Sequence, residues 1–223
     1  MKRFMLFMLT TIVSVSVVCA QTAKELAKER QLISKMSKAE LNAKASKAAL
    51  KAAKEYKRDG WVVAPGSLPL EKQLDRAYAM QYEYDEMAFP KYIMAEAMSI
   101  GESYDAAKHQ ALALARLNLA GQIQSEVTAI TENSLANKQL TGEQAASLAE
   151  TISASKDIIA QSIGRVIPVV ECYRAKSNKN KEVRVMIAYN SKMAMEAAKN
   201  TIRQQLEDKG DELHKQLDKV LGF

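Results

Sequence analysis

The sequence has few of the residues on which metal and nucleophile sites depend. Its 223 residues include two cysteines and two histidines. His109 and His214 are about a hundred positions apart, and neither lies at a spacing that zinc ligands use. A zinc or iron site built from histidine and cysteine would need more ligands than the chain offers. We therefore predict no metal site, and we interpret His109 as a solvated or half-buried helix residue.

Glycine and aromatic side chains are also scarce. Eight glycines are too few for phosphate-cradling loops, and no dinucleotide or nucleophile-elbow motif occurs. Aromatic residues make up 6% of the chain and hydrophobic residues 48%, much of the latter alanine. This composition is typical of a globular protein with closely packed helices. The sequence predicts no catalytic residue, no cofactor and no enzyme activity.

The first twenty residues have the layout of a secretory signal. A positive start precedes an apolar run over residues 4–18, and Val18-Cys19-Ala20 place small side chains before Gln21. We predict cleavage after Ala20, because the run is shorter than the roughly 20 apolar residues that a spanning helix needs. A retained anchor and lipidation of Cys19 stay open. The chain is thus predicted to be exported, to the periplasm or in association with the outer membrane.

Residues 21–59 contain neither glycine nor proline and are rich in helix formers, which predicts one long helix. This segment carries 11 basic and 5 acidic residues, whereas residues 60–223 carry a net charge of −2. We interpret it as a basic stalk or docking arm. The alternative is contact with anionic lipid or cell-wall polymer. In an exported chain a nucleic-acid partner is not expected.

Residues 60–90 form a linker marked by glycine and proline, with a short helix over 70–87 that ends before Pro90. One side of this helix is predicted to hold Leu70, Leu74, Ala77 and Tyr84. Aromatic residues are concentrated in the linker at Trp61, Tyr78, Tyr82 and Tyr84. They fit two interpretations, packing on the next domain or exposure to sugars or a membrane interface.

Residues 91–223 are predicted to form a small α+β domain in the order strand-helix-helix-strand-strand-helix. The predicted strands are 91–100, 166–176 and 182–189; the helices start at Ser103, at the Thr141/Gln144 capping box, and at Asn190 or Ser191. The inner face of the last helix includes Met193, Ala197, Ile202 and Leu206, and a further apolar pattern follows over 213–220. Alternation in the last strand predicts a three-stranded sheet covered by helices on one face.

The order and the residues of this domain resemble a known family. An alanine-spaced helix from Ala106-Ala107-Lys108 to Ala120 follows the first strand, and a strand at Val183 leads directly into an alanine-rich helix ending near Ala198. These segments resemble the Lpp-twenty-type bacterial envelope lipoprotein domain, and also the N-terminal domain of the flagellar assembly protein FlgT. The resemblance implies a structural or interaction module of the envelope without catalytic residues.

Two further candidates for chemistry are weighed from the sequence. Cys172 is in phase with Val166 and Val170 on a strand, which favours a core position over a nucleophile. Paired carboxylates of a hydrolase would have to come from acidic clusters at Glu83, Asp85 and Glu86, or at Glu207, Asp208, Asp211 and Glu212. Both clusters are interpreted as solvated helix ends. The sequence thus predicts a non-catalytic exported protein, with an envelope protein, a second copy or an anionic membrane surface as partner.

Overall fold

The structure is a computed structural model. It describes residues 42–136, 141–176 and 179–206, with scattered positions between 25 and 39. The chain divides into two units, residues 1–44 and residues 45–223. In the first unit the described positions from 25 to 42 are helical and exposed. The predicted signal sequence, the apolar pattern over 213–220, His214 and the acidic cluster at 207–212 lie outside the described residues.

The second unit mixes helices with an antiparallel sheet, as the sequence predicts. Its strands are β1 (Tyr92–Gly101), β2 (Ile167–Ala175) and β3 (Lys181–Asn190). Its helices are α1 (Lys47–Arg58), α2 (Leu70–Gln81), α3 (Tyr104–Ala136), α4 (Gly142–Ala154), α5 (Lys156–Ser162) and α6 (Ser191–Leu206). The three strands lie in the order β1-β3-β2, so β3 is central.

The single long helix predicted for residues 21–59 is wrong, because the chain is not helical from residue 43 to residue 46. α1 starts afresh at Lys47, where the Ser46 hydroxyl accepts a hydrogen bond from the Ala49 amide at 3.3 Å. The Ser46 amide in turn donates to the Asp75 carboxylate at 2.9 Å. Serine favours such a capping position because its oxygen satisfies an amide that has no partner within the helix.

One face of the sheet supports the larger core. In β3 the predicted alternation is confirmed: Val183, Val185 and Ile187 are fully buried on this face, with Tyr189 beside them. α3, α4, α5 and α6 contribute the opposing side chains. The largest of these are Leu119, Ile123, Leu148, Ile152, Ile159, Ile202 and Leu206.

The other face of the sheet is also covered, so the prediction of helices on one face is wrong. α1 and α2 pack there with Ala49, Ala53, Leu70 and Leu74, around the buried Cys172 of β2 and Ala188 of β3. The contributing residues of β3 are those that the alternation assigned to solvent. They are small or amphipathic, and burying them needs a partner surface that the pattern of the strand alone does not reveal.

Two predicted helices are shorter than expected. The helix over 70–87 ends at Gln81, because the chain turns back on itself and Lys91 donates its amide to the Glu83 carbonyl at 2.8 Å. The helix from Thr141 has the predicted capping box, but it is divided at Ser155 into α4 and α5. The Ser155 hydroxyl donates to the Thr151 carbonyl at 2.6 Å, a bond that commonly bends helices.

The inner faces predicted for two helices are confirmed only in part. Leu70, Leu74 and Ala77 are buried as predicted, whereas Tyr84 lies beyond the end of α2 and is exposed. In α6 the buried residues include Ile202 and Leu206, but Met193 is exposed and Ala197 only half-buried. The first turn of α6 is capped by Asn190, whose side chain accepts the Met193 amide at 3.1 Å.

Gly101 ends β1 where the sequence predicts it, and the structure shows why glycine is needed there. A Cβ atom at this position would lie 2.8 Å from the backbone nitrogen of Ala107. This close approach lets β1 pass directly to α3 through the Ser103 cap, whose hydroxyl accepts the Ala106 amide at 3.1 Å.

Candidate interaction surface

A polar cluster joins α3 to β2 at the edge of the larger core. The Glu171 carboxylate accepts hydrogen bonds from the Tyr104 hydroxyl and from the Lys108 ammonium group, the latter at 2.8 Å. Burial raises the pKa of Tyr104, and the bond to Glu171 raises it further. The Glu171 amide donates to the buried side chain of Gln73 at 2.7 Å. Since every polar group here has a partner within the fold, this cluster is suited to fastening β2 rather than to acid-base work.

Two arginines fasten α1 and the segment after it to the sheet. Arg184 of β3 forms an ion pair with Glu96 of β1, and its guanidinium lies 4.9 Å from the Tyr56 ring centre. Arg174 of β2 pairs with Glu182 at 2.5 Å and lies 4.6 Å from the Trp61 ring centre. Cation–π contacts of partly desolvated arginine contribute on the order of 1 kcal/mol each. α1 is therefore held in one fixed rotation on the body.

Cys172 lies in the core, as the sequence predicts, but on the face that α1 and α2 cover. Val166 belongs to the opposite face, because the register of β2 shifts between Pro168 and Val170. Burial raises the pKa of the Cys172 thiol to about 12. A protonated, fully buried thiol is a poor nucleophile.

The reactivity of Cys172 is a first test of this packing. In a chain that starts at Gln21, we expect the thiol of the native protein to react with a colorimetric disulfide reagent at pH 8 about a thousandfold more slowly than in guanidinium. The reason is the small thiolate fraction at a pKa near 12, to which steric exclusion adds. Equal rates in the two conditions would show that α1 and α2 do not cover this face.

The other sequence candidates are placed apart from one another. His109 is exposed on α3, whereas Cys172 is buried in β2. The two residues are also far apart along the chain. Among the described residues, no three His, Cys, Asp or Glu side chains are grouped to hold a metal ion. In the acidic cluster, Glu83 pairs with Lys91, while Asp85 accepts the amides of Met87 and Phe89. The Phe89 amide in particular holds the pKa of Asp85 below its ordinary value.

Two shallow hollows occur in the described part of the chain. One of about 260 Å³ lies between α3 and α4 and contains a single carboxylate, Glu132. The other, of about 180 Å³, lies between α2 and β2 and contains Glu171. A glycosidase needs two carboxylates facing one site. Neither hollow brings two together.

The aromatic residues of the linker separate into two groups. Trp61 is buried and Tyr78 half-buried against the face that α1 and α2 cover, which confirms the packing interpretation for these two. Tyr82 and Tyr84 are exposed. The second group therefore belongs to the surface of the molecule.

One face of α1 is a charged surface. Lys47, Lys51, Lys54 and Arg58 recur at helical spacing, so they lie within about a sixth of a turn of one another around the axis. We call these four residues the basic face. All four are exposed, and the opposite side of the helix holds the buried Ala49 and Ala53. Leu50, also exposed, lies beside the basic face.

The rotation of α1 explains why these cations share one direction. Ala49 and Ala53 are 0% and 2% exposed, and Tyr56 is held by Arg184. The neighbouring Lys57 is bound to Glu71 of α2 at 3.1 Å. The spacing of the lysines could have identified this face from the sequence. The spacing does not show that this face points to solvent, which follows from the burial of Ala49 and Ala53 on the opposite side.

No protein-family model matches this chain, and a search of curated proteins finds no significant match either. Among the described residues, no helix is both long enough and apolar enough to cross a bilayer.

Proposed function

We propose that this chain is a non-catalytic, exported protein of the cell envelope that acts as an interaction module. Its partner is the anionic surface of a membrane, and the contact is made by the basic face of α1. The secretory layout of residues 1–20 and the resemblance to an envelope lipoprotein domain support the location. The basic face supports the contact.

The basic face is the observation that carries this proposal. Its four cations are presented together by a helix that is fastened through its other side, by Ala49, Ala53 and Tyr56. No acidic side chain of α1 lies within the basic face, since its single acid, Glu55, is off to one side. A rigid, single-sign surface of this kind attracts a planar array of opposite charge without first having to be ordered.

The magnitude is sufficient for reversible attachment. Each basic residue near an anionic bilayer contributes about 1 kcal/mol, so four together contribute about 4 kcal/mol. Attachment of this origin depends on charges exposed to solvent and is therefore sensitive to salt.

Vesicle sedimentation tests the proposal directly. We expect the protein to sediment with vesicles that contain anionic phospholipid at an ionic strength of about 0.01 M and to bind much less at about 1 M, because the screening length falls from about 30 Å to about 3 Å. Vesicles of neutral phospholipid measure the part of the binding that does not depend on lipid charge, and isolated cell-wall polymer is a parallel arm. Binding to the polymer but not to anionic vesicles would refute the membrane as partner.

A further inference from the structure

A second surface has a different character from the basic face. Between α2 and β1 the chain forms a tight turn, residues 82–90, which we call the apolar turn. Four large side chains of this turn are between 54% and 74% exposed. They are Tyr82, Tyr84, Met87 and Phe89. Single exposed apolar residues are common on proteins, but four within nine residues mark an interaction surface.

Four backbone amides of the apolar turn are hydrogen-bonded within the turn. The Ala88 amide donates to the Asp85 carbonyl at 3.0 Å, and the Asp85 amide donates to the Phe89 carbonyl at 2.8 Å. One oxygen of the Asp85 carboxylate accepts the amides of Met87 at 2.9 Å and Phe89 at 3.0 Å. Moving polar backbone out of water is costly mainly when its groups lose their partners. This turn would keep these bonds.

The apolar turn is also fixed to the body. The Ser191 hydroxyl donates to the Pro90 carbonyl at 2.7 Å, and the Ser191 amide donates to the Lys91 carbonyl at 3.0 Å. Lys192 lies 3.6 Å from the Asp85 carboxylate. The start of α6 thus supports the turn from behind. Its apolar side chains are presented without a large ordering cost on binding.

The apolar turn carries little net charge, which suits an uncharged partner. Asp85 is paired with Lys192 and Glu83 with Lys91. Glu86 is the remaining acid and is exposed. Because two of its three acids are paired with lysines, the apolar turn has a net charge close to zero, unlike the basic face of α1. Met87 and Phe89 lie within the loop that the bridge between Tyr84 and Pro90 closes, whereas Tyr82 precedes that bridge.

We propose that the apolar turn inserts into the interfacial layer of a lipid bilayer. Met87 and Phe89 would enter the acyl boundary, while the Tyr82 and Tyr84 hydroxyls stay at the level of the headgroups, which amphipathic rings prefer. Glu86 limits the depth of insertion. The partner is the membrane of the proposed function, but the site and the physical force are different. Insertion is driven by apolar burial, so it persists at high salt and needs no anionic lipid.

Sedimentation of the full chain at high ionic strength tests insertion separately from the basic face. The double variant Met87→Ser/Phe89→Ser is expected to bind at least tenfold more weakly than the wild type, since it loses two large buried side chains. The matched control is Leu114→Ser/Ile158→Ser, which removes two exposed apolar side chains from α3 and α5 and should bind like the wild type. Circular dichroism confirms that both variants are folded.

Two further measurements report on the depth of insertion and on whether the apolar turn contacts a bilayer. Glu86→Gln is expected to strengthen binding, because it removes the charge that opposes insertion. In Phe89→Trp, tryptophan emission should shift to the blue when neutral vesicles are added, against the constant signal of the buried Trp61.

Each outcome decides the proposal. Wild-type binding that vanishes at high salt, with no shift in Phe89→Trp, would overturn insertion and leave the basic face standing. Salt-insensitive binding that Met87→Ser/Phe89→Ser abolishes would support insertion even if the basic face failed. If the double variant instead loses self-association in analytical ultracentrifugation and binds vesicles as the wild type does, the turn contacts a second copy and insertion is wrong.

Discussion

Replacing Ala53 with glutamate is expected to lower the free energy of unfolding by about 3–5 kcal/mol. Ala53 is 2% exposed and faces the sheet from α1. A carboxylate at this position would be an uncompensated buried charge, and burying one costs an amount of this order. Urea denaturation followed by circular dichroism measures the change, with the midpoint and the slope fitted separately.

The matched control is Ala48→Glu, which makes the same chemical change at an exposed position of the same helix. Its effect should stay within about 0.5 kcal/mol. Equal stability of the two variants would show that α1 does not pack on the sheet.

The result also decides where the folded body begins. If α1 packs as described, removing residues 21–44 leaves a cooperative domain, whereas removing residues 21–59 destabilises it.

Neutralising the basic face is expected to weaken binding to anionic vesicles about a thousandfold at low salt. The variant is Lys47→Gln/Lys51→Gln/Lys54→Gln/Arg58→Gln. Four contacts of about 1 kcal/mol each give about 4 kcal/mol, and each 1.4 kcal/mol is a factor of ten. Sedimentation over a range of lipid concentrations measures the affinity. All four positions are exposed, so the folded structure should be unaffected.

The control for this variant changes four exposed cations that are not on one face. These are Arg76, Lys156, Arg165 and Lys179, each replaced with glutamine. It lowers the net charge by the same amount, so only the arrangement of charge differs. We expect it to retain most of the affinity. An equal loss in both variants would mean that net charge, rather than the basic face, determines binding.

The larger core was predictable because its residues carry a strong signal of their own. Val183, Val185 and Ile187 alternate along β3 at the period of a strand, and β-branched residues favour that geometry. The Thr141 capping box marked the start of α4 for the same local reason. Signals of this kind depend on neighbours in the sequence, and they stay valid whatever the rest of the chain does.

The smaller core was predictable only in part, because the buried residues that α1 and β3 contribute to it are alanines. Ala49, Ala53 and Ala188 lose little when exposed, and each is buried here only because another element covers it. Alanine lets a helix approach a sheet closely. An alanine in the sequence does not, however, indicate which side of the helix will face the sheet. The basic face depends on this packing for its direction, although the spacing of its lysines was visible.

The sequence does not predict the apolar turn, and the reason is different. Ala88 has a φ of +62°, in the left-handed region that glycine ordinarily occupies in such a turn. The residues from Asp85 to Phe89 contain neither glycine, proline nor asparagine. Asp85 and Pro90 are common turn residues, but the helical spacing up to Met87 predicts a helix where the chain in fact reverses direction.

The central position of β3 has a consequence for the order in which the sheet forms. Within the described residues, β1 and β2 each pair with β3 and not with each other. A chain synthesised from its N-terminus as far as residue 180 therefore holds two strands without their partner. The sheet closes only when Lys181–Asn190 emerges, so vectorial synthesis delays formation of the sheet until most of the chain has been made.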